Sequence, residues 1–365
     1  MLRWLADKAD LGSLALLAVI SAISVVAVFS ATHGAEPNFW SGPAGKQLLF
    51  VVLGLGVFLL VQLVDYHDWA DLAFLLYLGG IALLVLVLLF ARPIAGARAW
   101  FELGPFRFQP SEPMKALAAL ACAAVLADAP GKLDFRRLAK LTFLVGLPVA
   151  LVALEPDMGS ALTYAPLLLG LAWVAGLRPR VLVTLAVAGA LLAPVGWFTV
   201  LKPYQKDRIR TVIDPDRDPM GSGYQTIQSR IAVGSGEALG KGLFQGSQSR
   251  LEFLPARETD FILAVVAEET GFVGVLVVLG LYGALLLRGL KTAAIAQDHL
   301  GAMLAVGVVS LCAGQSFINT GMVTGIVPTI GVPLPGLSYG GSSVLANFIA
   351  FGLVASVRAR RLVNV

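Results

Sequence analysis

The feature that most constrains this chain is a series of ten apolar runs, each close to the length that crosses a bilayer. A helix needs about 20 predominantly apolar residues to span the hydrocarbon core. Only 14% of the 365 residues are charged, whereas soluble domains carry about 25%. The runs cover residues 11–31, 48–64, 72–91, 112–128, 141–154, 158–177, 181–200, 261–287, 300–323 and 341–357. The sequence therefore predicts an all-α polytopic membrane protein with about ten transmembrane helices, folded as a single domain over residues 1–365.

Lysine and arginine are distributed unevenly between the two sets of loops. If the amino terminus is cytoplasmic, 13 basic residues fall in cytoplasmic segments and four in short outer loops. The cytoplasmic set is Arg3, Lys8, Lys132, Arg136, Arg137, Lys140, Arg178, Arg180, Arg288, Lys291, Arg358, Arg360 and Arg361, and the outer set is Lys46, Arg92, Arg98 and Arg107. Cytoplasmic loops carry the excess of basic residues in membrane proteins. We therefore expect both termini to be cytoplasmic and a long external loop, 201–260, between spans seven and eight.

Two segments between the runs have unusual composition. The external loop 201–260 holds nine basic and eight acidic residues, and its stretch 224–233 can form a short helix with Ile227 and Ile231 on one face. Such a helix would lie at the membrane interface. The segment 324–340 is dense in glycine and proline, which no helix tolerates. We expect this segment to fold back into the protein, because irregular backbone at membrane depth must be shielded from lipid.

Charged residues at the ends of the spans mark the candidate site. Glu112 and Lys115 open the fourth span, Asp157 precedes the sixth, and Asp260 lies at the outer end of the eighth. Ionisable residues at this depth are costly and are often functional. With the topology above they gather near the outer face, so we expect a charged cluster there.

Structural roles are the alternatives for these charges. Glu112 and Lys115 lie three apart on a helix and could pair with each other, or Lys115 could pair with Asp157. Asp157 could simply cap the next helix, as Asp260 could cap span eight. Arg208 and Arg210 could face solvent only. Glu268 and Glu269, inside span eight, could bind buried backbone or hydroxyl groups.

Several function classes receive no support. No phosphate-binding loop ending in Gly-Lys-Ser/Thr occurs. The three histidines are scattered over loops of both sides, so they predict neither a metal site nor a Ser-His-Asp hydrolase. The net charge of +4 is small and calls for no nucleic-acid partner.

Long strings of the chain resemble a known family. They are GARAWFELGPFRFQPSEPMK (96–115), EPDMGSAL (155–162), IDPDRDPMGSGYQTIQSRIAVGSG (213–236), GKGLFQGSQSRLEFLPARETDFILAVVAEETGF (240–272) and NTGMVTGIVPTIGVPLPGLSYGGSS (319–343). These strings resemble, in order and over almost the whole chain, the SEDS family (shape, elongation, division and sporulation). The stretches GSQS (246–249) and PTIGVPLP (328–335) look more like its RodA branch than its FtsW branch.

The resemblance implies a function. Members of this family have ten transmembrane helices and are glycosyltransferases that polymerise lipid II, a disaccharide peptide linked to undecaprenyl pyrophosphate, on the outer face of the bacterial cytoplasmic membrane. They work beside a class B penicillin-binding protein. The family's catalytic aspartate lies in an HTDF motif, which Asp260 matches. The sequence departs at Glu258, which stands where histidine is usual.

Elementary chemistry is consistent with this expectation. A pyrophosphate is already a good leaving group, so one carboxylate base, Asp260, suffices for an inverting displacement. The substrate-binding candidates are Arg98, Glu112, Lys115, Asp157, Arg208 and Arg210, and the four cations among them are suited to the pyrophosphate. Carboxylates and pyrophosphate could share Mg²⁺, but no ligand spacing requires it. The rival functions are a lipid II flippase and a non-catalytic scaffold for the penicillin-binding protein.

Overall fold

The computed structural model describes residues 9–33, 38–94, 96–104, 106–127, 133–199, 203–218, 220–221 and 223–361. These residues are mostly helical, with one antiparallel hairpin of strands β1 (Phe101–Leu103) and β2 (Phe106–Phe108). The helices are α1 (Leu11–Thr32), α2 (Pro43–Leu63), α3 (Tyr66–Asp71), α4 (Ala73–Phe90), α5 (Ser111–Leu126), α6 (Phe135–Leu154), α7 (Met158–Leu162), α8 (Tyr164–Val174), α9 (Pro179–Thr199), α10 (Pro203–Ile213), α11 (Tyr224–Ser235), α12 (Ser247–Arg250), α13 (Ile262–Ala294), α14 (His299–Val323) and α15 (Gly341–Ala359).

Each of the ten predicted apolar runs overlaps a helix. Within the described ranges, seven helices are long and apolar enough to cross a membrane, namely α1, α2, α4, α6, α13, α14 and α15. The other three runs fall on α5, on α7 with α8, and on α9. The helical membrane architecture is therefore confirmed, and the count of ten crossings stays a prediction.

Helices α14 and α15 form the centre of the bundle. In an 18-residue apolar window of each helix, 72% of the residues of α14 and 78% of those of α15 are buried within the protein, compared with 28% for α4 and for α6. Helix α14 packs against α5, α8 and α13, and α15 packs against α2 and α5. The peripheral helices present leucine, valine and phenylalanine outward, as a lipid environment requires.

Helix α13 is broken where the sequence predicts one continuous span. Gly271 has φ 66° and ψ −165°, outside the helical region. The segment 236–242, within the predicted external loop, fills the break: Lys241 N donates to Glu268 O and Gly242 N to Glu269 O, each at 3.0 Å. The residues before Gly271 thus form a short helix surrounded by protein, and those after it form the outward-facing part of the span.

Glu268 and Glu269 have structural partners at this break. Lys241 Nζ lies 2.6 Å from Glu268 Oε1, and Gln248 N donates to the same oxygen at 3.1 Å. Glu269 accepts a hydrogen bond from the Ser30 hydroxyl. Both glutamates therefore bind the external loop and the end of α1, which confirms the structural alternative.

Charged side chains from segments predicted to be cytoplasmic meet at one end of the bundle. Asp10, before α1, pairs with Arg288 of α13 and lies 3.6 Å from Arg358 of α15. His67 Nε2 lies 2.6 Å from the Asp298 carboxylate, before α14. These contacts bring the start of the chain, two loops and the last helix to the same end, as the charge distribution predicts.

The predicted external loop packs at the opposite end of the bundle. Helix α11 confirms the predicted stretch 224–233, and Ser229 Oγ ties it to Val323 O at the end of α14 with a 2.7 Å hydrogen bond. Its buried face carries Thr226, Ser229 and Ala232, while Ile231 is 44% exposed. Helix α11 thus rests on α13 and α14 through its small polar side, and its placement at the membrane interface, with Ile227 and Ile231 on one face, stays a prediction.

The segment 324–340 contains no helix, as its composition predicts. Asn319 of α14 holds it, since Asn319 Nδ2 donates to Val332 O at 2.7 Å and to Asp260 O at 2.8 Å. The folded-back segment and Asp260 are thereby joined to the same buried amide.

Candidate active site

A cavity of about 1690 Å³ lies at the end of the bundle that carries the hairpin and α10. Its walls are formed by the first turns of α2, the β1–β2 hairpin, the start of α5, faces of α6, α7 and α8, the start of α10, residues 259–261, the segment 327–333 and the amino end of α15. Ligand sites in proteins are typically concave and of about 300–1,000 Å³. This cavity is larger, so it has room for a ligand of more than drug size.

Asp260 lies in the wall of this cavity, two residues before α13 begins. Its Oδ2 is 3.4 Å from the point where a Cβ on Gly331 would lie, and Gly331 has φ +75°. A side chain there would be strained by the positive φ, while its Cβ would make an ordinary van der Waals contact with the carboxylate. Glycine at this position therefore allows the turn by which the folded-back segment passes beside Asp260.

The surroundings of Asp260 favour its neutral form. Burial, followed by the nearby carboxylates of Asp157 and Glu258, raises the pKa of Asp260 to about 6, and Arg208 acts in the opposite direction. A carboxylate with a pKa closer to neutrality is a stronger base than an ordinary aspartate while still ionised at pH 7. Asp260 is thus suited to accept a proton.

Glu112, Lys115 and Asp157 form one of the two pairings that the sequence left open. Lys115 Nζ bonds Glu112 Oε1 at 2.8 Å, and both side chains are buried. Asp157 accepts from Gln109 Nε2 at 2.8 Å and from Ser160 N at 3.0 Å. The Glu112–Lys115 pair is therefore confirmed and the Lys115–Asp157 pair is wrong, because Glu112 on the same helix face binds the ammonium and Gln109 reaches the aspartate.

The cavity contacts only some of these residues. Glu112 and Asp157 line it, whereas Lys115 borders a small adjoining pocket between α5, α14 and α15. Asp157 also caps α7, which confirms the structural alternative, and its role in substrate binding stays a prediction. Burial raises the pKa of Asp157, the Ser160 hydrogen bonds oppose this, and Glu112 adds a further raising effect.

The three predicted arginines are in different environments. Arg208, on α10, lines the cavity and acts electrostatically on Asp260. Arg210 pairs with Asp207 at 3.1 Å, lies 5.5 Å from the centre of the Trp197 ring and does not line the cavity. Arg98 is exposed and outside the lining. Arg208 therefore lies in the cavity wall together with Asp260, whereas Arg98 and Arg210 lie outside that wall.

Two cavity-lining cations, Lys46 and Arg107, entered the sequence analysis only as topology markers. Arg107 lies within the quoted string FRFQPSEPMK, so its place beside the site could have been suspected from the resemblance. Lys46 is separated from that string by an entire span, and nothing in the sequence indicates that α2 approaches the hairpin.

The part of the cavity between α6 and α8 is mostly apolar. One face of α6 lines it, with residues at positions i, i+3, i+4 and i+7, namely Thr142, Val145, Gly146 and Val149. Opposite them, α7 and α8 contribute Ala161, Leu162, Ala165 and Leu168. The cleft between α6 and α8 runs along a predicted membrane span, so a ligand with a charged head and an apolar tail fits the whole cavity.

In the described ranges, no group of three or more His, Cys, Asp or Glu side chains is arranged to hold a metal ion. Mg²⁺ is usually bound by one or two carboxylates together with substrate phosphates, so a Mg²⁺ ion shared with the pyrophosphate stays a prediction.

Comparisons with known proteins agree with the fold. The model of the FTSW_RODA_SPOVE family, described as "Cell cycle protein", matches residues 9–362. The chain is 39% identical over 323 residues to the peptidoglycan glycosyltransferase MrdB of Escherichia coli (strain K12), covering 88% of this chain and 86% of that protein. It is 33% identical over 406 residues to the peptidoglycan glycosyltransferase RodA of Treponema pallidum (strain Nichols), covering 92% and 94%.

Solved structures are similar over nearly the whole chain. A chain of a peptidoglycan synthase complex, whose structure concerns the coordination of polymerization and crosslinking, has a TM-score of 0.83 at 36% identity and covers 98% of this chain and 99% of that chain. The rod shape determining protein RodA of Thermus thermophilus has a TM-score of 0.72 at 31% identity and covers 98% of each. The family resemblance noted in the sequence is confirmed, and this chain belongs to the FtsW, RodA and SpoVE family.

Proposed function

We propose that this protein is a peptidoglycan glycosyltransferase that polymerises lipid II during cell elongation. The relatives from Escherichia coli and Treponema pallidum bear that activity in their names, and the Thermus thermophilus relative is named for rod shape. The observation that carries the proposal to individual residues is the cavity. It joins Asp260 and Arg208 to an apolar cleft between α6 and α8, which matches a sugar diphosphate attached to a long lipid.

The reaction is a single displacement at the anomeric carbon. The Asp260 carboxylate takes the proton of the acceptor hydroxyl. An electron pair of that hydroxyl oxygen then forms the new glycosidic bond to the anomeric carbon. The bond between the anomeric carbon and the diphosphate oxygen breaks on the opposite face, so configuration inverts. Arg208 stabilises the negative charge that gathers on the departing diphosphate, which is the arrangement that most lowers such a barrier.

Asp157 and Glu112 line the same cavity as Asp260. We assign Asp157 a positioning role: its charge raises the pKa of Asp260, and its bond to Gln109 fixes the start of α5. Lys115 balances Glu112 inside the protein. Removing either member of such a buried pair leaves an uncompensated charge, which costs about 3–5 kcal/mol.

The flippase alternative needs charges along a path through the bundle. Glu268 and Glu269 lie inside span eight, where such a path could use them. Their binding to Lys241, Ser30 and the external loop removes that argument. The scaffold alternative differs from the enzyme in its need for a base, because a non-catalytic scaffold does not require Asp260.

We place the cavity on the outer face of the cytoplasmic membrane, with both termini in the cytoplasm and α10 to α12 external. The 13-to-four distribution of basic residues supports this orientation. We also propose a class B penicillin-binding protein as partner, supported by the similarity to a chain of a peptidoglycan synthase complex that coordinates polymerization and crosslinking.

The test is the Asp260→Asn variant, assayed with purified lipid II. Loss of a general base slows a reaction by about 10²–10⁴-fold, so polymer on a gel should fall by that factor. Capture of the partner transpeptidase should be unchanged, since the amide keeps the shape of the side chain.

Asp214→Asn is the matched control, because Asp214 lies exposed in the same loop and its side chain caps nothing. This control should polymerise normally. Wild-type polymer yield from Asp260→Asn would refute the assignment of the base, and transbilayer movement of lipid II without polymer would favour the flippase.

A further inference from the structure

Lys46 and Arg107 line the cavity, yet the reaction described above uses neither of them. Among the described residues, no carboxylate forms an ion pair with either side chain, in contrast to Lys115, which Glu112 neutralises. An unpaired cation in a partly enclosed cavity attracts an anionic ligand, because low-dielectric walls strengthen its field.

The first turn of α2 holds Lys46 against the loop before α15. Gln47 is fully buried; its Nε2 donates to Ser338 O at 3.1 Å, and its Oε1 accepts from Gly340 N at 3.3 Å. One turn further along α2, Phe50 packs directly on Gly341, where any side chain would overlap its ring. Lys46 is thereby placed beside the amino end of α15.

The hairpin brings Arg107 to the same place. Phe106 meets Phe50 edge-on at 5.6 Å between ring centres. Ser342 Oγ donates to Arg107 O at 3.3 Å and accepts from Gln109 N at 2.9 Å. The first turn of α2, the hairpin and the amino end of α15 therefore meet at one wall of the cavity, and each contributes to the positive potential of that wall.

The third contribution is the amino end of α15 itself. Gly341, Ser342 and Ser343 line the cavity, and the residue before them, Gly340, supplies no side-chain cap. The first amides of a helix are unbonded donors with a partial positive charge, and such ends bind phosphate groups. With Lys46 and Arg107 beside them, these amides can hold a diphosphate.

We propose that Lys46, Arg107 and the amino end of α15 form a second diphosphate site, which holds the lipid-linked acceptor while Arg208 holds the donor. This proposal rests on the proposed function, because joining two lipid-linked sugars requires two diphosphates in the cavity at once. The donor diphosphate adjoins the reacting carbon and belongs beside Asp260. The acceptor diphosphate lies a disaccharide away from the reacting hydroxyl, so it needs its own cations on another wall.

Glu102 adjusts the strength of this site. It is the cross-strand partner of Arg107 in the hairpin and also lines the cavity. A carboxylate directly opposite the guanidinium weakens its attraction for an anion. Glu102→Gln should therefore tighten diphosphate binding, whereas an Arg107 that only stabilised the hairpin would show no such gain.

The direct test counts binding sites in the absence of turnover. Undecaprenyl diphosphate is titrated calorimetrically into the Asp260→Asn protein in lipid nanodiscs, and two sites are expected. Adding Lys46→Ala and Arg107→Ala should weaken one site by about 10-fold or more, the usual effect of losing charge-assisted hydrogen bonds. Arg208→Ala should weaken the other site alone.

Two control variants distinguish the loss of positive charge from a loss of folding. Lys46→Arg with Arg107→Lys keeps both charges and should retain two sites. Arg92→Ala removes an exposed outer arginine that does not line the cavity and should change nothing. Inorganic pyrophosphate should compete with the probe; competition by undecaprenol but not by pyrophosphate would mean that only the tail is bound, which overturns the diphosphate assignment.

Two results would overturn the proposal: a single site in the Asp260→Asn protein, or two unchanged sites in the Lys46→Ala, Arg107→Ala variant. The proposed function is tested separately, because it fails only if the wild-type protein makes no polymer. In the active protein the same double substitution should raise KM for lipid II by about 10-fold and change kcat much less.

Discussion

The carboxyl group of Asp260 lies between groups that move its pKa in opposite directions, and activity should report the balance. Burial and the charges of Asp157 and Glu258 raise this pKa to about 6, against the effect of Arg208. A general base works only when ionised, so kcat/KM should fall as the pH drops through about 6. Asp157→Asn removes one raising charge and should move this acid limb to lower pH, whatever its effect on the maximal rate.

The measurement is a pH profile of polymerisation at low lipid II concentration, which reports groups of the free enzyme. Asp214→Asn, in the external loop, is the control and should leave the profile in place. An acid limb that stays where it was in Asp157→Asn would show that the two carboxylates do not interact.

At the level of single residues, the sequence predicted positions better than partners. Asp260, Glu112, Asp157 and Arg208 all line one cavity. The partners of Lys115 and Asp157 were not predictable, because Glu112 competes with Asp157 for Lys115, and Gln109 reaches Asp157 from the segment before α5. That competition is decided by side-chain packing, which no spacing rule describes.

Helix α13 provides a prediction at the level of elements. Gly271 has φ +66°, and a Cβ there would overlap the backbone of Gly240 and Ala238. Gly271→Ala should therefore destabilise the protein by about 1–3 kcal/mol from backbone strain, with the overlap adding to this. Gly283→Ala, on the same helix with open space around it, should be neutral or slightly stabilising.

Thermal unfolding in detergent of these two variants and the wild type tests the idea. Because segment 236–242 is bound at the break, Gly271→Ala should also speed protease cleavage of the external loop. Equal melting temperatures for the two variants would mean that the break is not required for stability.

The sequence predicted the non-helical segment 324–340 but did not predict the break at Gly271, and the reason is physical. Residues 324–340 contain so many glycines and prolines that a helix was excluded. Gly271 is a single glycine within an apolar run, and isolated glycines are common in membrane helices. Its φ is determined by the contact with segment 236–242, which is remote in sequence.

On the scale of the whole molecule, the orientation is open to direct measurement. Arg136 lies exposed near the start of α6, in a predicted cytoplasmic segment, and Asp214 lies exposed in the predicted external loop. A cysteine at Asp214 should react with a membrane-impermeant maleimide in spheroplasts, and a cysteine at Arg136 should react only after lysis. The native Cys122 and Cys312 are buried and should give little background. Labelling of the Arg136 position in unbroken spheroplasts would reverse the topology.

The cleft between α6 and α8 has a consequence for how fast such an enzyme can work. A substrate whose tail lies in that cleft approaches sideways, within the plane of the bilayer, and its diphosphate never has to pass through bulk water. The quantity that saturates the enzyme is then the number of lipid-linked sugars per unit of membrane area. Cells would therefore adjust the rate of wall synthesis by changing the fraction of lipid-linked sugar in the membrane. Diluting or mixing the aqueous phase would leave the polymerisation rate unaltered.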